Sequence, residues 1–238
     1  MRLILYCVFM MSLFIPGCTS ERQENKFINE SSDFRIDYAD GFKVTHQDSI
    51  KWVEVVRPYQ GVVSGHRYLL VKHGVEIPAH DKETLVIRIP IENLVCTSTT
   101  HIPLLDYLEE TDKLIGFPTT EYISSTKMRQ RIDAGNVVDL GVDKGMNLEK
   151  LIELSPTLVM GYSMSADIGQ FKKIMEVGIP VIINSEYLER HPLGRAEWIK
   201  FMALFFDQET KADSIFRVIE NEYNSVKESV NTIAQNPP

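Results

Sequence analysis

The sequence predicts an α/β fold, with a mostly parallel sheet flanked by helices and a small β-rich subdomain in front of it. From position 91 onward, short apolar runs alternate with segments of helical periodicity, which is the pattern of βαβ units. Before position 91, runs rich in Val, Ile, Tyr and Trp are separated by Gly and Pro turn signals. The 238 residues, 44% hydrophobic and 24% charged, have the composition of a globular protein.

Charge and motif content exclude several classes of function. The chain has 25 Lys and Arg against 33 Asp and Glu, and its net charge of -8 would repel a polyanion, so we expect no nucleic-acid partner. The motifs CxxC, HExxH and GxGxxG do not occur, and neither does a P-loop. The common zinc, dinucleotide and nucleotide sites therefore lose their main support.

The N-terminal segment predicts export and lipid attachment. An apolar run of thirteen residues from Leu3 to Ile15 ends shortly before Cys18. A helix of this length would be ~20 Å long, too short for the ~30 Å hydrocarbon core of a bilayer. The segment resembles a bacterial lipoprotein cleavage box, which implies a signal peptide over 1–17, lipid on Cys18 and a tether over 18–33. The alternative is a signal peptide in which Cys18 is incidental.

Cysteine usage points away from disulfides and from thiol catalysis. If Cys7 leaves with the signal and Cys18 carries lipid, Cys96 is the only thiol left, and no intrachain disulfide can form. Cys96 ends an apolar strand and has no neighbouring base in the sequence. We therefore expect it to be a small buried hydrophobe rather than a nucleophile.

The β-rich extension spans residues 34–90. Three apolar runs predict strands at 51–56, 66–72 and 84–89. Trp52, Tyr59 and Tyr68 could face a ligand, although aromatic residues in short strands more often belong to a core.

The α/β part spans residues 91–207. Strands are predicted at 91–96, 114–117, 137–140, 157–160 and 180–183. Helices are predicted at 103–109, 126–133, 148–154, 167–177 and 195–206. In an open parallel sheet the ligand crevice lies beyond the carboxyl ends of the strands, so we expect a site in the loops that follow them.

Residues 208–238 contain one long amphipathic helix, predicted over 209–234, and the end of the chain. Apolar residues recur at spacings of three and four and form one stripe: Ala212, Phe216, Ile219, Tyr223, Val226, Val230 and Ile233. Such a helix would be ~39 Å long, longer than one small lobe requires. The alternative is a coiled-coil dimer, because the spacing also fits a heptad seam.

Several segments of the α/β part carry a family resemblance. They are LVCTSTTH at 94–101, LIGF at 114–117, Gly141, MNLEKLIELSPTLV at 146–159 and GIPV at 178–181. In this order they resemble the periplasmic binding proteins for iron-siderophores, haem and cobalamin, which usually have Asp where Thr157 stands. The run YLERHPLGRAEW at 187–198 resembles a Bacteroidetes branch of that family, lipoproteins with a similar β-rich extension.

The resemblance implies a ligand-binding lobe and a connecting helix. Members of the family have two α/β lobes joined by one long helix, and they deliver the ligand held between the lobes to an ABC importer. Residues 91–207 would be the first lobe and 209–234 the connecting helix, while a second lobe is not among these residues. We therefore expect the distal half of the helix to expose Val226, Val230 and Ile233.

The resemblance also implies a docking residue for the permease. It places Glu149 where family members carry a glutamate that meets arginines of the permease, and an exposed carboxylate can pair with a guanidinium in this way. The alternative is that Glu149 only complements the dipole of a helix capped by Asn147.

Candidate ligand-binding residues lie after the predicted strands. They are Ser98, Thr99, Thr100, His101, Tyr122, Tyr162, Ser163, Glu186, Arg195 and Trp198. Free N–H groups at the start of the first helix could bind a carboxylate, unless Thr99 or Thr100 merely caps it. Arg195 could bind an anionic ligand and Trp198 could stack on a planar one, although Trp198 also suits a core. No paired ligands accompany His101, so no metal site is predicted.

The leading hypothesis is a lipid-anchored substrate-binding protein that faces the periplasm from the inner membrane. It would deliver an iron-siderophore, haem or a corrinoid to an ABC importer, and it would be no enzyme and carry no covalent cofactor. Two alternatives remain open: an envelope lipoprotein that acts as a protein-interaction module, and a secreted α/β enzyme.

Overall fold

The computed structural model describes residues 34–62, 64–142 and 145–235, with side chains up to position 230. The predicted signal peptide, Cys18 and the tether lie outside the described residues. Within the described part, no helix is both long and apolar enough to cross a membrane.

The first sheet contains four strands. They are β1 (Phe42–Gln47), β2 (Ile50–Val55), β3 (His66–Lys72) and β4 (Leu85–Ile89), in the spatial order β1-β2-β3-β4. The first two pairs are antiparallel, whereas β3 and β4 run parallel. Strand β1 was not predicted because all of its side chains but one are half-buried or exposed, which leaves a weak apolar pattern in FKVTHQ.

The second sheet is entirely parallel and lies at the centre of the α/β part. Its strands are β5 (Leu94–Cys96), β6 (Leu114–Phe117), β7 (Val138–Asp139), β8 (Leu158–Gly161) and β9 (Val181–Ile183). The spatial order is β7-β6-β5-β8-β9, so the chain builds outward from β5 in one direction and then returns to its other side. This confirms the predicted α/β fold class.

Six α-helices complete the fold in the described part of the chain. They are α1 (His101–Leu108), α2 (Thr126–Asp133), α3 (Leu148–Leu154), α4 (Gly169–Glu176), α5 (Pro192–Ala203) and α6 (Glu209–Gln235). Asn147 caps α3 by accepting the N–H of Lys150 at 2.9 Å, as the sequence predicts. Helix α5 begins three residues earlier than predicted because Pro192 occupies its first turn.

Alternate residues of the parallel strands enter different cores. Leu94 and Cys96 pack with α1, α5 and α6, whereas Val95 packs on the opposite face with α3 and α4. Both faces of the sheet are therefore covered, as predicted for a parallel sheet.

The β-rich extension shares its core with the α/β part and has no separate one. Phe42 packs on Trp198 and on Phe201, with ring centroids 4.8 and 5.3 Å apart. Lys51, which is almost fully buried, donates to the carbonyl oxygen of Leu204 at 3.2 Å. The predicted small β-rich part is therefore present, and its apolar residues and those of α5 bury one another.

A strap formed by residues 37–41 crosses α5 and is held by two buried carboxylates. Glu197 accepts three backbone N–H groups from residues 37–39, at 2.7 to 2.9 Å. Glu189 accepts the N–H of Gly41 at 2.7 Å and the indole N–H of Trp198 at 3.0 Å. These bonds compensate for the burial of both carboxylates and tie the start of the described chain to α5.

Helix α6 is packed only along its first half. Ala212 and Phe216 are buried, whereas the side chains of Val226 and Val230 are 63% and 57% exposed. The predicted exposure of these two valines is confirmed, while the side chain of Ile233 lies outside the described residues.

Candidate ligand-binding site at the carboxyl edge

The site is built at the carboxyl edge, by which we mean residues 97–100, 118–122, 162–168 and 184–187, the loops after β5, β6, β8 and β9. The chain leaves β5 toward one side of the sheet and leaves β8 toward the other. Such a reversal opens a crevice between the two loops, which is where open α/β sheets bind ligands.

Hydroxyl groups join three of these loops. The hydroxyls of Ser98 and Thr100 lie 2.7 Å apart, and Thr100 donates to Oε1 of Glu186 at 2.5 Å. The hydroxyl of Thr97 accepts the N–H of Tyr162 at 3.2 Å. The loops after β5, β8 and β9 therefore form one connected surface, in which Thr99 and Thr100 are exposed and Ser98 is half-buried.

The start of α1 offers no free N–H groups to a ligand. The N–H of Thr100 donates to the hydroxyl of Ser98 at 3.3 Å, and the N–H of His101 donates to the carbonyl oxygen of Ser98 at 3.1 Å. The next N–H, of Ile102, donates to the carbonyl oxygen of Thr99 at 3.2 Å. The prediction of a carboxylate-binding helix start was therefore wrong, and neither threonine side chain caps the helix.

Glu186 is a buried carboxyl group beneath the exposed Thr100 of the carboxyl edge. It is 5% exposed, and its Oε2 has no hydrogen-bond partner. Burial raises its pKa, and the hydrogen bond from Thr100 opposes that effect. The neighbouring hydroxyl of Ser185 is also buried without a partner. Unsatisfied buried acceptors are uncommon, so their occurrence at this edge marks it as unusual.

Tyrosines and a methionine give the edge an apolar surface. Tyr122 is 71% exposed and Met164 is also exposed. Tyr162 is half-buried, whereas Ser163 is buried and its carbonyl oxygen accepts the hydroxyl of Tyr187 at 2.6 Å. A cavity of about 350 Å³ opens among the residues of the β8–α4 loop.

His101 and Trp198 are corrections to the predicted site. His101 is fully buried, so a ligand at the carboxyl edge cannot reach it. Burial lowers its pKa to about 3, and the imidazole is therefore neutral. Trp198 is also fully buried, between Phe42 and Phe201. Both side chains point into the core because apolar neighbours from distant parts of the chain enclose them.

Arg195 is exposed but already engaged. Its guanidinium donates to the carbonyl oxygens of Tyr187 and Glu189, at 3.2 and 3.3 Å. Its charge also lies close enough to Glu186 to lower the pKa of that carboxyl group, against the larger effect of burial. Arg195 therefore fixes the loop after β9 through one nitrogen of its exposed guanidinium.

Asp139 is a residue that the sequence analysis missed. It accepts the N–H and the hydroxyl of Thr120, both at 2.7 Å, and the N–H of Gly141 at 2.7 Å. Burial raises the pKa of Asp139, but these hydrogen bonds outweigh it and the net shift is downward. Its position two residues before Gly141, at the end of a strand, was the signal for such a turn.

Two further residues bear on function. Glu149 is exposed in the first turn of α3, where a partner can reach it. Cys96 is buried, and burial raises the pKa of its thiol. Among the described residues, no three His, Cys, Asp or Glu side chains lie together in a way that could hold a metal ion.

Comparison with known proteins decides the family. Residues 94–238 match the family described as periplasmic binding protein. The chain belongs to this family. It resembles a periplasmic heme-binding protein from Pseudomonas aeruginosa with a TM-score of 0.50 and 15% identity, over 62% of this chain and 50% of that one. This likeness shows the periplasmic binding protein fold.

Two uncharacterized lipoproteins from Methanocaldococcus jannaschii are similar in sequence. One is 26% identical over 89% of this chain, and the other is 25% identical over 99%. The chain spans 58% and 64% of their lengths, about three fifths of each.

Proposed function

We propose that this chain binds a small metal chelate at its carboxyl edge and delivers it to an ABC importer. The chelate would be a ferric siderophore, haem or a corrinoid. Lipid on Cys18 would hold the protein at the periplasm-facing surface of the inner membrane. The observation that carries the proposal is the reversal of strand order between β5 and β8 in a member of the periplasmic binding protein family.

The chemistry of the edge favours binding over catalysis. It offers hydroxyls, exposed aromatic and methionine surface, and one buried carboxyl group, which together can hold a chelate by hydrogen bonds and apolar contact. Tyr122 in particular presents a ring on which a planar or macrocyclic ligand could stack. We therefore keep Ser98, Thr99, Thr100, Tyr122, Tyr162, Ser163, Glu186 and Arg195 as proposed site residues.

The long helix supports the same proposal. Helix α6 continues well beyond its buried residues Ala212 and Phe216, and its distal half carries Val226 and Val230 on the surface. A connecting helix between two lobes would use these valines against the second lobe. Glu149, exposed at the start of α3, is the proposed contact with the permease.

The exposed valines in the distal half of α6 also support a second candidate function. Val226 and Val230 could instead bind an envelope protein, and the chain would then be an interaction module without a transport role. This candidate predicts no saturable binding of any chelate.

Titration calorimetry with a matched pair of variants tests the proposal. Tyr122→Ala removes an exposed ring at the carboxyl edge, whereas Tyr107→Ala removes a 58% exposed ring near the end of α1, at the opposite edge. We expect Tyr122→Ala to weaken chelate binding about tenfold, equivalent to ~1.4 kcal/mol. Tyr107→Ala should bind as the unmodified chain does.

The ligands to titrate are haemin, ferric siderophores and dicyanocobinamide, with the whole chain kept in detergent. Saturable binding that Tyr122→Ala weakens and Tyr107→Ala leaves unchanged supports the proposal. Absence of binding by every chelate, together with capture of a specific envelope protein through α6, would replace it by the interaction module.

A further inference from the structure

We infer that the carboxyl edge selects ligands that carry N–H or O–H donors and no net negative charge, and that Glu186 sets this preference. The inference rests on the proposed function, because it concerns what the same site accepts. It divides the chelates named above into two groups, and only one of them suits the side chains that are present.

Glu186 has one carboxyl oxygen that no hydrogen bond uses. Its Oε1 accepts a hydrogen bond from Thr100, an exposed residue, whereas its Oε2 is buried and has no donor. The adjacent hydroxyl of Ser185 has no partner either. A ligand N–H or O–H that displaces Thr100 or reaches beside it would supply a donor to this carboxyl group, whereas a ligand carboxylate would bring another acceptor next to it.

The positive features expected at this edge are buried or already bonded within the chain. The first N–H groups of α1 are bonded to Ser98 and Thr99. His101 is buried and neutral. Arg195 is bound to two backbone carbonyl oxygens and lies beside the carboxyl group of Glu186. Among the described residues, none of these three features is therefore left entirely free to compensate an anionic ligand.

The exposed loops of the carboxyl edge carry negative charge. The exposed charged side chains in the described loops of the carboxyl edge are carboxylates, namely Glu121 and Asp167. These loops contain no Lys or Arg at 97–100, 118–122, 162–168 or 184–187. The nearest guanidinium on α2, that of Arg129, donates to the carbonyl oxygen of Thr120 at 2.8 Å. A ligand with several negative charges would therefore meet like charge at close range.

General ligand chemistry then separates the chelates. Haem presents propionate carboxylates, and ferric catecholate siderophores are polyanions. Corrinoids present a periphery of amide N–H donors, and ferrioxamine B, a hydroxamate chelate, carries an ammonium group. The edge fits the second pair, since amides and ammonium groups donate to carboxylates and hydroxyls.

Competitive titration of the whole chain in detergent tests the inference with four probes: dicyanocobinamide, ferrioxamine B, haemin and ferric enterobactin. We expect at least one of the first two probes to bind ten times more tightly than either of the last two. Glu186→Gln should weaken binding of that probe about tenfold, because an amide nitrogen offers a donor where the ligand needs an acceptor.

Two further variants separate charge from structure. Glu186→Asp keeps the charge and should retain more binding than Glu186→Gln. Glu176→Gln removes an exposed carboxylate at the end of α4, near the opposite edge, and should leave all four affinities unchanged. If Glu186→Gln does not fold, the inference is judged by the relative affinities of the unmodified chain for the four probes.

The outcomes distinguish this inference from the function on which it rests. Tighter binding of haemin or ferric enterobactin by the unmodified chain would overturn the inference and leave the proposed function standing. An equal loss of probe affinity in Glu186→Gln and Glu176→Gln would also overturn the inference. Absence of saturable binding by all four probes would overturn the proposed function itself.

Discussion

At the scale of single residues, Glu197 contributes to stability through the strap. Its carboxylate accepts three backbone N–H groups and lies 3.1 Å from the ammonium group of Lys200, and both side chains are buried. Glu197→Ala would leave these donors unpaired, so we expect it to lower the free energy of unfolding by ~3 to 5 kcal/mol. Urea denaturation measures this loss, and Glu222→Ala, at an exposed position of α6, is the control. Equal stabilities would contradict the account.

His101 predicts a pH dependence at the same scale. Burial lowers its pKa to about 3 in the folded state, whereas an unfolded histidine titrates near its usual value of 6.5. The unfolded chain therefore binds the extra proton first, and stability is complete above pH 6.5 and falls as the pH drops toward 3. The contribution is up to ~1.4 kcal/mol per pH unit in this window.

The matching variant is His101→Phe, which replaces an unpartnered buried imidazole by an apolar ring. We expect it to fold and to lose part of the pH dependence of unfolding between pH 6.5 and 3, as followed by urea titrations at several pH values. The same slope in both proteins would show that the imidazole is protonated in the folded state after all.

At the scale of elements, Gly161 fixes the distance between β8 and α4. A Cβ at this position would lie 2.5 Å from the ring of Phe171, so the helix would have to shift. We expect Gly161→Ala to lower the free energy of unfolding by ~1 to 3 kcal/mol. At Gly169, also in this region, an added Cβ would come no closer than 3.4 Å. Gly169→Ala should therefore be tolerated, and a larger loss there than at Gly161 would be contrary to this packing.

Helix α6 should divide into two halves of different stability. Phe216 is buried, while Val226 and Val230 are exposed, so backbone hydrogen exchange should be slow around Phe216 and fast beyond Tyr223. Phe216→Ala should cost ~3 to 5 kcal/mol, whereas Val226→Lys should change stability by less than ~0.5 kcal/mol. Uniform protection along the helix in a monomer would contradict this division.

The elements also show what the sequence could predict. The predicted bounds of α2 and α3 agree with the structure, because Ser125 and Asn147 cap them with side-chain oxygens that mark a helix start locally. Seven of the ten candidate residues lie in the loops of the carboxyl edge, because the parallel strands of a βαβ pattern end at one edge, and their role in ligand binding stays a prediction. The orientation of His101 and Trp198 was not predicted, because it depends on packing across the fold, such as Phe42 on Trp198.

At the scale of the whole molecule, the two sheets and the first half of α6 form one body around a shared core. That arrangement leaves the carboxyl edge, Glu149 and the distal half of α6 accessible. We assign these three surfaces, as proposals, to the ligand, the permease and the second lobe.

The permease proposal predicts a separation of functions. Glu149→Arg should leave chelate affinity within about twofold of the unmodified chain, because the residue is exposed on α3 and forms no ion pair with another described side chain. Uptake of the chelate by cells that depend on the protein should fall at least tenfold, since a guanidinium would meet the arginines of the permease. Unchanged uptake would leave Glu149 with only its effect on the helix dipole.

Hydrogen exchange with and without the chelate that binds most tightly tests the central claim most directly. We expect slower exchange in residues 97–100, 162–168 and 184–187, which belong to the proposed binding site at the carboxyl edge, and no change in the first sheet. Protection confined to α6 or to β1–β4, with the carboxyl edge unchanged, would contradict the account.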